Sequence, residues 1–72
     1  MEQMKRYEIV YDKFNKRWAF KPQGLPGALQ VAKTRPEIIE RACPICAIQP
    51  CILRIHNEDG VAEEERVFDL QR

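Results

Sequence analysis

Cys43-Pro-Ile-Cys46, followed by Cys51 and His56, is where soft metal ligands and nucleophiles come closest together in this chain. Four residues separate Cys46 from Cys51 and four separate Cys51 from His56, the spacing of a compact zinc knuckle. A structural zinc would take Cys43, Cys46, Cys51 and His56 as its four ligands, or the three cysteines plus a ligand from outside the chain. The local pattern opposes the four-ligand site. Ile52 to His56 reads as a strand, and five residues at about 3.3 Å each set Cys51 and His56 roughly 16 Å apart on opposite faces.

Cys-Pro-Ile-Cys also resembles the redox motif of glutaredoxins, which implies a thiol made acidic by a helix N-terminus. Here the motif falls near the end of a helix begun at Thr34, where the helix dipole opposes a thiolate. The third reading makes Cys46 a small apolar core residue on the helix stripe, Cys43 its border and Cys51 part of a turn. Three cysteines are an odd count, so a complete internal disulfide framework is excluded and reduced thiols in a cytoplasmic setting are expected, with no cofactor.

A second cluster lies nearer the N-terminus, where Lys13, Lys16, Arg17 and Lys21 surround Phe14 and Trp18. Cations around aromatic rings can hold phosphates while a ring stacks on a base, which nominates Phe14, Lys16, Arg17, Trp18 and Lys21 as a nucleic-acid interface. Against it, Trp18 and Phe20 are spaced as core residues of a strand, and the formal net charge is only +1. The acidic run Glu63-Glu64-Glu65 with Asp59 offers carboxylates for Mg²⁺ or acid-base work. No Gly-rich phosphate loop accompanies it, the chain has no serine, and a single His and a single Thr leave no triad. The acidic run is therefore expected to be a solvated hairpin arm, and the chain not to be an enzyme.

These side chains must be positioned by one small domain, since 72 residues suffice for a single core. At 44% apolar and 32% charged residues, the composition is that of a folded chain rather than a disordered one. No apolar run is long enough to span a bilayer, so a membrane partner is not expected, and residues 1–5 read as a flexible tail. Tyr7, Ile9 and Tyr11 alternate with polar neighbours as a strand. A turn over Asp12 to Lys16 leads to a second strand, Arg17 to Lys21, and Ala28 to Ala32 adds a brief third. Thr34-Arg-Pro-Glu37 then signals a helix N-terminus. The apolar stripe of the helix is Ile38, Ile39, Ala42, Ile45 and Cys46, with a kink or restart expected near Cys43 because of Pro44, and an end at Gln49-Pro50. Ile52 to His56 and Glu65 to Leu70 form the last strands, joined through Asp59-Gly60, a hairpin signal. The expected fold is α+β: a small antiparallel sheet of four to five strands packed against one helix, in the order β-β-(β)-α-β-β.

Trp-Ala-Phe-Lys in the second strand, Thr-Arg-Pro-Glu-Ile-Ile-Glu-Arg-Ala opening the helix, and Ile-Leu-Arg-Ile-His-Asn-Glu-Asp-Gly before Glu-Glu-Arg-Val-Phe resemble a family of short uncharacterised bacterial proteins catalogued as a domain of unknown function. The resemblance runs from about Tyr7 to Phe68. It implies the same fold and no activity. A His like His56 stands in that family's strand without the cysteines, so the resemblance accounts for His56 without a metal.

Charge is unevenly distributed. Residues 1–35 hold eight Lys/Arg against three Asp/Glu, and residues 36–72 hold four against eight, or +5 and −4. Such a split can be neutralised within the fold, can orient a homodimer, or can present a basic face to an anion. The function expected is a non-enzymatic interaction module acting through homodimerisation or a protein partner. The alternatives are a nucleic-acid-binding accessory protein and a zinc-stabilised knuckle-like module.

Overall fold

The computed structural model describes residues 5–48 and 50–68. Its elements are β1 (Lys5–Asp12), β2 (Arg17–Pro22), β3 (Gln30–Ala32), α1 (Arg35–Cys46), β4 (Cys51–His56) and β5 (Ala62–Phe68). They make an α+β fold, a five-stranded sheet in the order β3-β2-β1-β4-β5 with the helix on one face.

The sheet is mixed, which corrects the antiparallel expectation: β1–β2, β2–β3 and β4–β5 are antiparallel, whereas β1 and β4 pair in parallel, Tyr7 beside Leu53 and Ile9 beside Ile55. The cause is the length of α1. Twelve helical residues rise about 18 Å, close to the roughly 20 Å of a six-residue strand. The helix therefore carries the chain from the end of β3 back to the end of the sheet where β1 begins, and β4 must run the same way as β1.

Strand alternation builds the core. Tyr7 and Ile9 of β1, Trp18 and Phe20 of β2, Ala32 of β3, and Cys51, Leu53 and Ile55 of β4 form one buried cluster with Ile38, Ala42 and Cys46 of α1. Tyr7 stacks on Phe20 with ring centroids 5.1 Å apart, and Tyr11 leans on Trp18 at 5.0 Å. Burial of each large apolar side chain in this layer contributes about 1.5–3 kcal/mol. Ile39 and Ile45 pack against its border, so the expected helix stripe is the observed one.

The head of α1 follows its sequence signal. Thr34, extended at φ −125° and ψ 157°, accepts the Glu37 N–H at 3.3 Å through its hydroxyl. The Glu37 carboxylate does not close the reciprocal bond of a capping box and pairs instead with Arg41 at 3.1 Å. At the other end the helix does not restart at Cys43 but runs through Pro44 to Cys46 as one element. Pro44 has no N–H to give the Glu40 carbonyl, but Glu40 is exposed and water can take the place of the lost donor. One turn later the Ala47 N–H bonds the Cys43 carbonyl at 2.9 Å and ends the helix, ahead of Gln49-Pro50.

Strand boundaries shift slightly. Lys5, expected in a flexible tail, pairs with Cys51 as the first residue of β1, and the rest of that tail lies outside the described residues. The third strand is shorter than expected and the last begins earlier, at Ala62, with Leu70 outside the described residues. Asn57 to Gly60 turn the β4–β5 hairpin: Gly60 sits at φ +87°, and the Asn57 side-chain oxygen accepts from the Asp59 and Val61 N–H groups at 2.9 and 3.0 Å. Glu63 is the extra residue of a bulge, because Ile55 pairs with Glu64 while His56 pairs with Ala62.

Candidate functional site

The cysteines converge and His56 does not join them. Cys46, in the last turn of α1, and Cys51, the first residue of β4 rather than part of a turn, are fully buried where the helix end meets the sheet. The Cys51 thiol donates to the Cys46 carbonyl at 3.4 Å, which satisfies one of the carbonyls left over at a helix end. Burial, then the Cys51 thiol beside it, push the Cys46 thiol up to about 12. It stays protonated at neutral pH and is a poor nucleophile and a poor metal ligand there. Cys43 is half-buried, with Arg66 Nη1 of β5 4.0 Å from its sulfur.

His56 lies at the far end of β4 and on the opposite face from Cys51, as the odd separation requires. Its Nδ1 is 3.1 Å from the Ile9 carbonyl, and since a carbonyl only accepts, Nδ1 carries the proton. Among the described residues, no group of three or more His, Cys, Asp or Glu side chains is placed to hold a metal ion.

The basic and aromatic residues divide into three places. Phe14 stands at the tip of the β1–β2 turn, 94% exposed, with Lys13, Lys16 and Arg17 exposed around it. Asp12 holds this tip: its carboxylate accepts the Phe14 and Asn15 N–H groups at 3.0 and 3.3 Å and the Asn15 side-chain amide at 2.7 Å. The Asn15 amide, more than any other group, keeps that carboxyl below its usual range. Lys16 takes φ +55° to close the turn. Trp18, by contrast, is a core residue, 5% exposed, and its ring is not available for stacking on a base. Lys21 is near the other end of β2, 3.0 Å from Glu8.

Concave features are shallow. A groove of about 570 Å³ is lined by Tyr7, Pro22, Leu25 and Leu29 with Lys5 and Arg6, and holds no acid, base and nucleophile in concert. A hollow of about 350 Å³ at the head of α1 is lined by Trp18, Lys33, Thr34 and Arg35 with Asn57 and Glu58. It is a weak anion seat. Thr34 already takes the Glu37 N–H, Pro36 has none, and Glu63 holds the Arg35 guanidinium at 2.9 Å.

The largest organised surface is the sheet face turned away from α1, and sequence reasoning passed over most of its residues. Alternation that sends Tyr7, Phe20 and Leu53 to the core sends their neighbours Glu8, Lys21 and Arg54 to this face, and the register lines them up. Glu65 of β5, Arg54 of β4, Glu8 of β1 and Lys21 of β2 are successive cross-strand neighbours. Read across four strands the row is acid, base, acid, base. Arg54 is 3.1 Å from Glu65 and Lys21 is 3.0 Å from Glu8. On one side of the row Val10, Ala19 and Val31 are also in register, with His56 beside them, and on the other side stand Val67, Ile52 and Arg6. Among the described residues no element covers this face. Each strand carries a charge among its outward positions, but neighbours in the row are between 11 and 46 residues apart and only the register joins them.

The charge split of the chain survives folding. Of five ion pairs among the described residues, Arg35–Glu63 joins the two halves, and Lys21–Glu8, Arg41–Glu37, Arg54–Glu65 and Arg66–Glu64 each stay within one. Arg17 and Lys21 stand on β2, next to the β3 edge of the sheet, and Glu63, Glu64 and Glu65 on β5, the opposite edge.

No protein-family model, no curated protein and no solved structure matches the chain.

Proposed function

We propose that this chain is a non-enzymatic interaction module that associates through the open face of its sheet, with a second copy or with a protein partner. The observation that carries this reading is a sheet face that, among the described residues, no helix or strand covers, with a charge row set between Val10, Ala19 and Val31 on one side and Ile52 and Val67 on the other. Apolar area drives association while alternating charge selects the partner and its orientation. The edges are less suited to it. β5 presents three glutamates and a bulge, and β3 has three residues, both features that discourage strand addition. The non-enzymatic part of the reading follows from buried, protonated Cys46 and from the shallow concave features, and the reduced thiols suit a cytoplasmic setting.

The test is retention on immobilised protein of its own soluble copies and of other chains, with Ile52→Glu and Phe14→Ala compared at equal loading. Retention lost in Ile52→Glu and kept in Phe14→Ala supports the reading. Absence of any retained chain, or retention indifferent to Ile52→Glu, overturns it.

A second reading is favoured by one observation, the exposed Phe14 on its Asp12-braced turn among three cations. It is nucleic-acid binding by this tip with Phe14, Lys16 and Arg17. Binding to single-stranded DNA or RNA that weakens as salt rises and fails in Phe14→Ala supports it; binding absent at low salt removes it.

A further inference from the structure

Resting on the interaction reading, we infer that the occupant of the open face is a second copy of this chain, docked face to face about a two-fold axis parallel to the strands. The argument is the order of charge in the row. A two-fold lying between two facing sheets and parallel to their strands preserves height along the strands and reverses left and right. Glu65, Arg54, Glu8 and Lys21 of one copy then stand over Lys21, Glu8, Arg54 and Glu65 of the other. Every charge meets its opposite, laterally within its own sheet and vertically across the interface, in a checkerboard of eight groups. A two-fold perpendicular to the strands keeps the order and places Glu65 on Glu65 and Arg54 on Arg54. The row therefore selects one of the two symmetric arrangements and repels the other.

The same operation exchanges β4 with β1 and β5 with β2 in the flanking rows. Val10 comes to lie over His56 and Ala19 over Ala62, the β5 residue paired with His56, while Val31 on β3 falls outside the overlap. On the other side Ile52 meets Arg6, whose aliphatic stem can cover it. At the scale of the sheet, β2 of each copy, with Lys21, lies over β5 of the other, with Glu65. The twist of packed sheets is accommodated. A rotation of about 30° about the centre of the row moves the outer Glu65 and Lys21 by about 3.6 Å, within the reach of those side chains, and hardly moves Arg54 and Glu8.

The four strands that overlap, β5, β4, β1 and β2, lie about 4.8 Å apart and are about 20 Å long, which gives a shared face of roughly 400 Å² in projection, or about 800 Å² over both copies, the size of a weak, transient contact. The dimer is accordingly a concentration-dependent one that weakens as salt rises.

The experiment uses wild type, Glu8→Arg and Arg54→Glu, each checked for folding by circular dichroism, in sedimentation and native mass spectrometry. Wild type is expected to dimerise. Each variant alone sets two pairs of like charges across the axis and is expected to lose about tenfold or more in dimer affinity. Mixed in equal amounts the two variants regain both opposite-charge pairs, and a mixed dimer of intermediate mass is expected. A second measurement needs no variant: zero-length carbodiimide cross-linking of light and heavy-isotope copies. Lys21 and Glu65 are three strand spacings apart in one chain, about 14 Å, so a Lys21–Glu65 link between light and heavy peptides reports the proposed interface. A wild type that stays monomeric, or a dimer without that link and indifferent to both charge changes, overturns the inference. If the monomer still retains another chain through Ile52, the interaction reading stands and only the second copy is wrong. If the open face retains nothing, both fall.

Discussion

Raising the pH isolates the energetic consequence of burying Cys46. Its thiol is pushed up from the usual 9.0 to about 12, first by burial and then by the neighbouring Cys51. Below pH 9 the thiol is protonated in the folded and unfolded chains alike, and its contribution is complete. Between pH 9 and 12 the unfolded chain releases this proton while the folded chain keeps it, so the unfolded state binds fewer protons and stability falls as pH rises. The slope is about 1.4 kcal/mol per pH unit, which gives about 2 kcal/mol lost by pH 10.5 and about 4 kcal/mol by pH 12. For a chain of 72 residues, 2 kcal/mol is a large share of total stability. The assay is urea unfolding at pH 7.5, 9.0 and 10.5 in reducing buffer, for wild type and Cys46→Ala. Cys46→Ala begins less stable at pH 7.5 because it leaves a small cavity, and the gap should close by about 2 kcal/mol at pH 10.5. Parallel pH dependences for the two proteins would refute the claim that a protonated thiol is sealed between α1 and β4.

Pro44→Ala restores a donor for the Glu40 carbonyl and should stabilise by about 1–2 kcal/mol after the stiffer unfolded chain of the proline form is discounted, raising the melting temperature by roughly 5–10 °C; a lower melting temperature would mean that Pro44 is needed for the helix end. Trp18→Ala should cost about 3–5 kcal/mol in chemical unfolding whereas Phe14→Ala stays within about 0.5, and similar losses would contradict the placement of one ring in the core and the other in solvent. Chelator added to protein purified without it should leave mass and melting temperature unchanged, because Cys51 and His56 face opposite ways; a mass loss of one zinc per chain accompanied by unfolding would require a different arrangement of β4.

Much of the fold was legible one element at a time. The period of two in Tyr7, Ile9 and Tyr11, the pair Trp18 and Phe20, and the stripe Ile38, Ala42 and Cys46 each predicted the buried side of its own element, because alternation and helical period are local geometry. Thr34 before Arg-Pro-Glu, and Asp59-Gly60 between two strands, placed a cap and a turn for the same reason. The separation of Cys51 from His56 by five positions already put them on opposite faces, which is strand geometry and independent of the sheet's neighbours.

Tertiary structure decided what depends on which strands meet. That β4 enters beside β1, and in parallel, follows from the span of α1 across the sheet. No local pattern distinguishes a central from an edge neighbour for Leu53 and Ile55. The same pairing makes a row of Glu65, Arg54, Glu8 and Lys21, residues of unremarkable type spread from position 8 to 65. Sequence determined the faces of each strand; the register between strands, set by long-range packing against the helix, determined which charges stand side by side.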